Sequence, residues 1–399
     1  MKYNTVSIQF EMPVSEDGYV FDVGSLYEYL LKLTDKRKAR GKRYSVALVL
    51  VLMVLAKMCG EDQPYGIAEW ARERAETLCT LLDLRYRRLP SHNTYRRVLR
   101  EAIDVDEMQD MLCRFLKQQP GSGQSVLLAL DGKTLRGSIP AGQAKGVHLL
   151  AAYLPEEGIV LAQVSVESKE NEISAAPRVL ATIDLRDKIV RGDALHTQRN
   201  LSKQIVEAGG EYVWIVKENQ PQLHEDIEQL FQPEVCEPGF SPSHKDFRTA
   251  KSVDRAHGRL EIRSLTASCL LREYADWPYL EQVFQLERRV TNLKTGVVRH
   301  ETVYGVTSLL PDEAGPKRLL ALVRDYWTIE NGLHYRRDRT LREDATRMTH
   351  PTLAQAMAIL NNLVIALAFQ HGWHNLPQAR RYYNAHLQDA LPLVLRRPS

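Results

Sequence analysis

The sequence is short of cysteine, of long apolar runs and of net charge. Five cysteines (Cys59, Cys79, Cys113, Cys236, Cys269) stand without CxxC spacing. That argues against a zinc site or a disulfide framework and for a reducing compartment. The most apolar run, Ser45 to Met58, spans about 14 residues. A membrane helix needs ~20, so a buried core helix is expected and no membrane partner. Met1 to Phe10 carries no basic stretch leading into an apolar core, so no signal peptide is expected and the expected setting is the cytoplasm. The net charge is only +3, from 53 basic and 50 acidic residues. A near-neutral sum can hide basic faces, so it neither implies nor excludes a nucleic-acid partner. Repeats and low-complexity segments are absent as well.

What is there is a globular composition. Hydrophobic residues make up 44% and charged residues 26% of 399 positions, which excludes a disordered or fibrous chain. The length suggests two or three units at ~100–200 residues each. The first part reads as helical: Phe21 to Asp35, the apolar run from Ser45, Ile67 to Leu82, a helix capped by Ser91 or Asn93 after Pro90, and Asp104 to Leu116. Gln118 to Gln124 (QQPGSGQ) is a boundary.

The period then changes. Short apolar runs at Ser125 to Asp131, His148 to Leu154, Ile159 to Ser168, Lys188 to Asp193 and Glu211 to Lys217 read as strands. Helices are expected at Ile173 to Ile183, Thr197 to Ala208 and Gln222 to Phe231. This alternation predicts an α/β sheet, part parallel and part antiparallel, covered by helices. From about Phe247 to Leu309 the pattern is strand-rich, with the turn Asn292 to Gly296 closing a hairpin; helices return from Pro316 through Glu330 and from Pro351 to Phe369. The expected organisation is a helical head (1–118), an α/β body (119–231), a β-rich insertion (232–312) and a helical remainder (313–399).

Three acids stand out. Asp131 and Asp193 each end an apolar strand and precede a small residue, and Glu330 lies on a helix that could cover the sheet. Three carboxylates form a set of hard oxygen ligands suited to Mg²⁺ or Mn²⁺. Two such ions ~3.5–4 Å apart can activate a water or a 3′-hydroxyl and stabilise the leaving oxygen of a phosphodiester. A turn or cap role for each acid is the plain alternative.

At these residues the sequence resembles the DDE transposases of bacterial insertion sequences, most closely the H-repeat-associated (ISAs-type) family. The matching stretches are LALDGKTLRGS (128–138), ESKENEI (167–173), IVRGDALHTQ (189–198), YVWIVKENQP (212–221), DRAHGRLEIR (254–263) and DYWTIENGLHYRRDRTLREDATR (325–347). The head resembles the family's associated N-terminal domain through KARGKRYSVALVLVLMVLAKMCG and LPSHNTYRRVL. The resemblance implies an RNase H-like mixed sheet with flanking helices, a β-rich insertion and an all-helical N-terminal domain. It also implies a catalytic metal triad of Asp131, Asp193 and Glu330 holding two Mg²⁺ (or Mn²⁺), with Asp131 bridging them. The partners it implies are double-stranded DNA, as transposon ends and target, and a second copy in a homodimer on DNA; the setting becomes the bacterial nucleoid. Around the Glu the family pattern is only partly met: Tyr326 stands where it has Arg, with Arg324 a possible stand-in, and Arg337 where it has Lys. A DNA binder that has lost its chemistry, or an RNase H-like nuclease that cuts without joining, are the other classes.

Supporting residues have two readings each. On an α-helix Arg337 would share a face with Glu330, with His334 beside both. Arg337 would then meet a phosphate near the scissile bond, or simply pair with a Glu. Lys133 and Arg136 could hold phosphates or be solvated loop charges. Lys217 and Asn219 follow the last core strand, on the side where ligands gather. His196 and His148 read as structural or supporting rather than as ligands. His257-Gly258-Arg259 reads as a turn more readily than a DNA contact. A helix displaying Asn93, Tyr95, Arg96 and Arg97, among Arg85, Arg87, Arg88 and Arg100, resembles a recognition helix; a basic solvated face is the alternative. The tryptophans are expected in the core.

Overall fold

A computed structural model describes residues 13–15, 20–86, 88–119, 122–167, 170–232, 246–256, 258–325 and 329–396. Cys236, Arg87, His257, Tyr326 and Trp327 lie outside the described residues. The four described cysteines are free thiols.

The head is built on α2 (Val46–Met58), which Ser45 caps by accepting from the Leu48 amide at 3.0 Å. Every residue of α2 is buried, as its lack of a polar face requires. Around it lie α1 (Leu26–Leu31), α3 (Pro64–Glu73), α4 (Ala75–Leu81), α5 (His92–Arg97) and α6 (Val105–Lys117). The single helix expected over 67–82 is two, because Arg74 leaves helical geometry (φ −107°, ψ 16°). The short α5 runs on into a π-helical turn, Val98–Ala102.

The body is one sheet: β1 (Leu127–Thr134), β2 (His148–Leu154), β3 (Ile159–Val166), β4 (Ile189–Arg191), β5 (Glu211–Val216), β6 (Arg248–Ala256), β7 (Arg259–Ser268), β8 (Gln282–Asn292) and β9 (Val298–Thr307). The order is β3-β2-β1-β4-β5-β9-β8-β7-β6. β2 is antiparallel to β1 and β3, whereas β1, β4 and β5 run parallel. This is the RNase H-like mixed sheet that the resemblance implies. The strand-rich block joins the same sheet, because β9 pairs antiparallel with β5.

The helices of the body are α7 (Glu172–Leu180), α8 (Arg199–Glu207), α9 (Pro221–Phe231), α10 (Pro316–Asp325) and α11 (Pro351–Gln370), followed by α12 (Leu376–Ala385), α13 (Leu387–Ala390) and α14 (Pro392–Leu395). α11 is long and apolar enough to cross a bilayer, but here it lies mostly buried against α2, α6 and β3. Between α10 and α11 the chain forms two π-helical segments, Ile329–His334 and Arg336–Thr340. The α-helix expected through Glu330 is therefore a wider coil, with hydrogen bonds that span five residues instead of four.

Buried charge ties the head to the rest. Arg380 of α12 donates to Asp62 Oδ1 at 2.8 Å, to the Lys57 carbonyl at 2.9 Å and to the Thr340 carbonyl at 2.6 Å. Lys57 Nζ lies 3.7 Å from Asp62 Oδ1. Burial strips water from the Lys57 ammonium and lowers its pKa from 10.5 to about 8, although Asp62 opposes the shift. Between those two values the unfolded chain holds the proton more tightly than the native one, so this group makes stability rise with pH. The rise is on the order of 3 kcal/mol. We expect Lys57→Met to lack it: urea denaturation of wild type and variant at pH 8 and at pH 10 will diverge. Parallel pH profiles would show that Lys57 keeps an ordinary pKa.

Candidate active site

The pairing of β1 with β4 sets the site. Leu127 to Ala129 face Ile189 to Arg191 in parallel register. Two residues further on, the same register brings Asp131 level with Asp193. Neighbouring strands lie ~4.8 Å apart, and alternate residues share a face, so Ala129, Asp131 and Lys133 point one way and Leu130 and Gly132 the other. Asp131 also pairs with Ala151, and Ala151 with Gln163. One level of the sheet thus runs from Gln163 on β3 to Asp193 past β4.

Asp193 lies beyond the last ladder residue of β4, in extended backbone (φ −70°, ψ 178°), and caps the 3₁₀ turn Ala194–His196. Its Oδ1 accepts from the Leu195 amide at 3.0 Å and pairs with His196 Nδ1 at 2.8 Å. Partial burial pushes its pKa up, but the hydrogen bond and charge of His196, with the amides of Leu195 and His196, outweigh it and hold the carboxyl below the usual range. Asp193 is an ionised acceptor at neutral pH, with its side chain 48% exposed.

Asp131 Oδ2 lies 3.3 Å from His334 Nδ1. His334 ends the π-helical segment that contains Glu330, so this segment packs on the Asp131 face of β1. The Glu330 side chain lies outside the described residues. Among the described side chains no three His, Cys, Asp or Glu form a metal cluster. Asp131 and Asp193 suit a hard divalent cation by chemistry: two carboxylates at one level of the sheet, with Asp193 Oδ2 outside the bonds to His196 and Leu195.

The remaining expected residues are placed variously. Lys133 Nζ is bound to both oxygens of Asp338 at 2.6 and 2.7 Å, clamping β1 to the second π-helical segment. The Arg136 guanidinium is 80% exposed, 3.8 Å from Asp344. Lys217 is exposed just past β5. Asn219 Nδ2 donates to the Ala194 carbonyl at 2.6 Å, bracing the turn after Asp193. Arg337 is fully buried; its Nε donates to the two oxygens of Glu343 at 3.1 and 2.9 Å. It points into the core from the second π-helical segment, and its partner is a Glu. Arg324, the stand-in, pairs with Asp254 at 3.2 Å. Tyr95 is buried, so α5 displays Asn93, Arg96 and Arg97 without it. Arg96, Arg97 and Arg100 line an open groove of about 1130 Å³ whose opposite wall carries Arg347 and His350.

One group escaped sequence reasoning. Glu172, at the start of α7, lies 2.8 Å from His148 Nε2 and 3.7 Å from His196 Nε2. The signal was present in ESKENEI: Asn171 is the N-cap of α7, accepting from the Ser174 amide at 3.0 Å, and so fixes Glu172 in the first turn.

Arg337→Ala leaves Glu343 buried without its cation, a loss of about 3–5 kcal/mol. Calorimetry is expected to show a strongly lowered Tm, while the salt slope of DNA binding stays as in wild type. A reduced slope at unchanged Tm would return Arg337 to the DNA surface.

Residues 27–116 match the model of a DDE_Tnp_1-associated domain and residues 122–367 the model of a transposase DDE domain. YncI of Escherichia coli O157:H7 is 27% identical over 355 residues, 86% of this chain and 87% of that protein. The H repeat-associated YhhI of Escherichia coli K12 is 22% identical over 348 residues, covering 86% and 90%. Both are named for an inferred transposase role. A protein of Xanthobacter autotrophicus, encoded in the dhlA 3′ region, is 32% identical over 262 residues, 64% of this chain and 86% of that one. Among solved structures, a piggyBac transposase synaptic complex with hairpin DNA aligns at TM-score 0.44 and 10% identity, covering 92% of this chain and 78% of that one. With the DDE model spanning well over half its length, the chain belongs to the DDE-domain transposases.

Proposed function

We propose that this transposase cuts phosphodiester bonds at the ends of a bacterial insertion sequence and joins the freed 3′-hydroxyl to target DNA, with Asp131, Asp193 and Glu330 as the catalytic acids. The observation that carries the reading is the β1–β4 register, which puts Asp131 and Asp193 at one level of the sheet. The ionised state of Asp193 and the packing of the Glu330 segment against β1 support it. Two divalent ions, Mg²⁺ or Mn²⁺, held by these three acids would activate the attacking hydroxyl and stabilise the leaving oxygen.

The chain's own side chains do the rest. His334 fixes the orientation of Asp131. The Lys133–Asp338 clamp holds β1 against the coil that bears Glu330. Arg136 and Lys217, both exposed, flank the acids and can meet backbone phosphates. Arg96, Arg97 and Arg100 of the head face one groove with Arg347, which precedes α11, and phosphates of a duplex can displace counterions there. Two ends must be handled, so a homodimer on DNA, working on the nucleoid in the cytoplasm, is part of the proposal.

Asp131→Ala, Asp193→Ala and Glu330→Ala are each expected to abolish Mg²⁺-dependent cleavage of end-containing DNA while retaining DNA binding. Near-normal cleavage by any one removes that residue from the site. With wild type, joined product supports transposition. Nicks alone would mean a nuclease, and binding without cleavage a DNA binder without chemistry. The pair Arg96→Ala/Arg97→Ala should weaken binding and flatten its dependence on salt, because fewer counterions are released. An unchanged slope, measured by fluorescence anisotropy across a salt series, would move the DNA surface elsewhere.

A further inference from the structure

We infer that Glu172 is a positioning residue for the catalytic centre: acting through the buried ring of His196, it holds the Asp193 carboxylate in the orientation that binds a divalent cation. The inference rests on the reading of Asp193 as a metal ligand.

Asp193 needs such a hold. β4 is three residues long, and its pairing with β1 and β5 ends at Arg191, so no ladder bond fixes position 193. The side chain is instead tethered by His196, which is wholly buried. A carboxylate can only accept, so the 2.8 Å contact requires the proton on His196 Nδ1. The ring in turn is set by what surrounds it. Its Cβ and imidazole pack on Gly192, where an added Cβ would come within 2.8 Å of His196 Cβ. Its Nε2 faces Glu172 Oε2 at 3.7 Å.

Glu172 is itself fixed from two sides. His148 Nε2 donates to its Oε1 at 2.8 Å, and Thr134 Oγ1 donates to His148 Nδ1 at 2.8 Å, which sets the His148 tautomer. Against β1, Glu172 fills the space over Gly132; a Cβ at that position would lie 2.1 Å from Oε1. Its side chain is only 18% exposed. Thr134 and Gly132 are on the same strand as Asp131. Hydrogen bonds join Thr134 to His148, His148 to Glu172 and His196 to Asp193, and a 3.7 Å charge contact between Glu172 and His196 completes a row that links the strand of one proposed catalytic acid to the turn that carries the other. It passes around the end of β4 from the far face of the sheet. His196 is the partner one bond removed from a metal on Asp193, of the kind whose loss changes affinity by about 10–100-fold, and Glu172 acts on it from behind.

The test is Mn²⁺ binding to the full-length protein without DNA, read by electron paramagnetic resonance of free Mn²⁺. Glu172→Ala is expected to weaken Mn²⁺ about 10-fold or more. His196→Ala should weaken it at least as much, and His196→Asn, whose amide nitrogen can stand where Nδ1 stands, should recover most of the loss. Because Glu172 acts through the ring, Glu172→Ala added to His196→Asn should cost nothing further. A purely structural role would lower Tm and leave Mn²⁺ affinity alone, and that result overturns the inference. So would equal losses from Glu172→Ala in both backgrounds. If His196→Ala does not fold, the Glu172 and His196→Asn arms decide alone. Asp193→Ala is the control. If it loses Mn²⁺ while Glu172→Ala and His196→Ala keep it, only the positioning inference fails. If Asp193→Ala binds as wild type, the metal reading of Asp193 fails instead.

Discussion

The pairing of two strands in parallel register is the constraint on which the molecule's chemistry depends. β1 and β4 are 55 residues apart in the chain, from Thr134 to Ile189, yet the ladder between them leaves no choice about which residues stand side by side. A slip by one residue would turn Asp193 to the opposite face from Asp131, because side chains alternate along a strand. The apolar residues of both strands, Leu128, Leu130 and Val190, are fully buried, so the register is locked by the core on which the sheet rests. Asp131 and Asp193 inherit their placement from the packing of this core.

Much of this was legible in the residues. SVLLALD and KIVRGD announce themselves as buried strands ending in an acid, and the alternation after Gln124 gives the mixed sheet. The strand-rich block and its Asn292–Gly296 turn are equally plain. What periodicity could not give is the coil around Glu330. An α-helical and a π-helical reading of the same residues differ in which side chains share a face, and nothing in the pattern of apolar residues separates them. His334 meets Asp131 on β1, whereas Arg337 turns inward to Glu343. The recognition-helix reading failed at Tyr95 for a similar reason: a six-residue helix pressed against a core has fewer outward positions than its sequence suggests. Glu172 went unnoticed because its partners, His148 and His196, lie 24 residues on either side of it.

Charge inside the protein does a second job. Lys57 and Asp62 belong to the head, Arg380 to the last helices, and Thr340 to the coil beyond Glu330. The bonds of Arg380 to Asp62 and to the Lys57 carbonyl are buried, where a lost partner is costly to replace. The head is therefore fastened to the coil beyond Glu330 by groups that are costly to separate, and the basic groove of α5 keeps a defined relation to it.

The junction between β5 and β9 carries a lesson about how such a chain can change over time. Without the block that β9 ends, β5 would be a bare sheet margin, its amides and carbonyls open to any extended peptide. The outermost strand that the block provides, β6, turns Lys251 and Arg255 to solvent on either side of Val253. Four strands that look dispensable, spliced between two halves of the α/β body, also cover the edge that β5 would otherwise leave bare. Evolution could decorate or lengthen their tips, Gly258 and Gly296 among them, far more cheaply than it could delete the hairpins behind them.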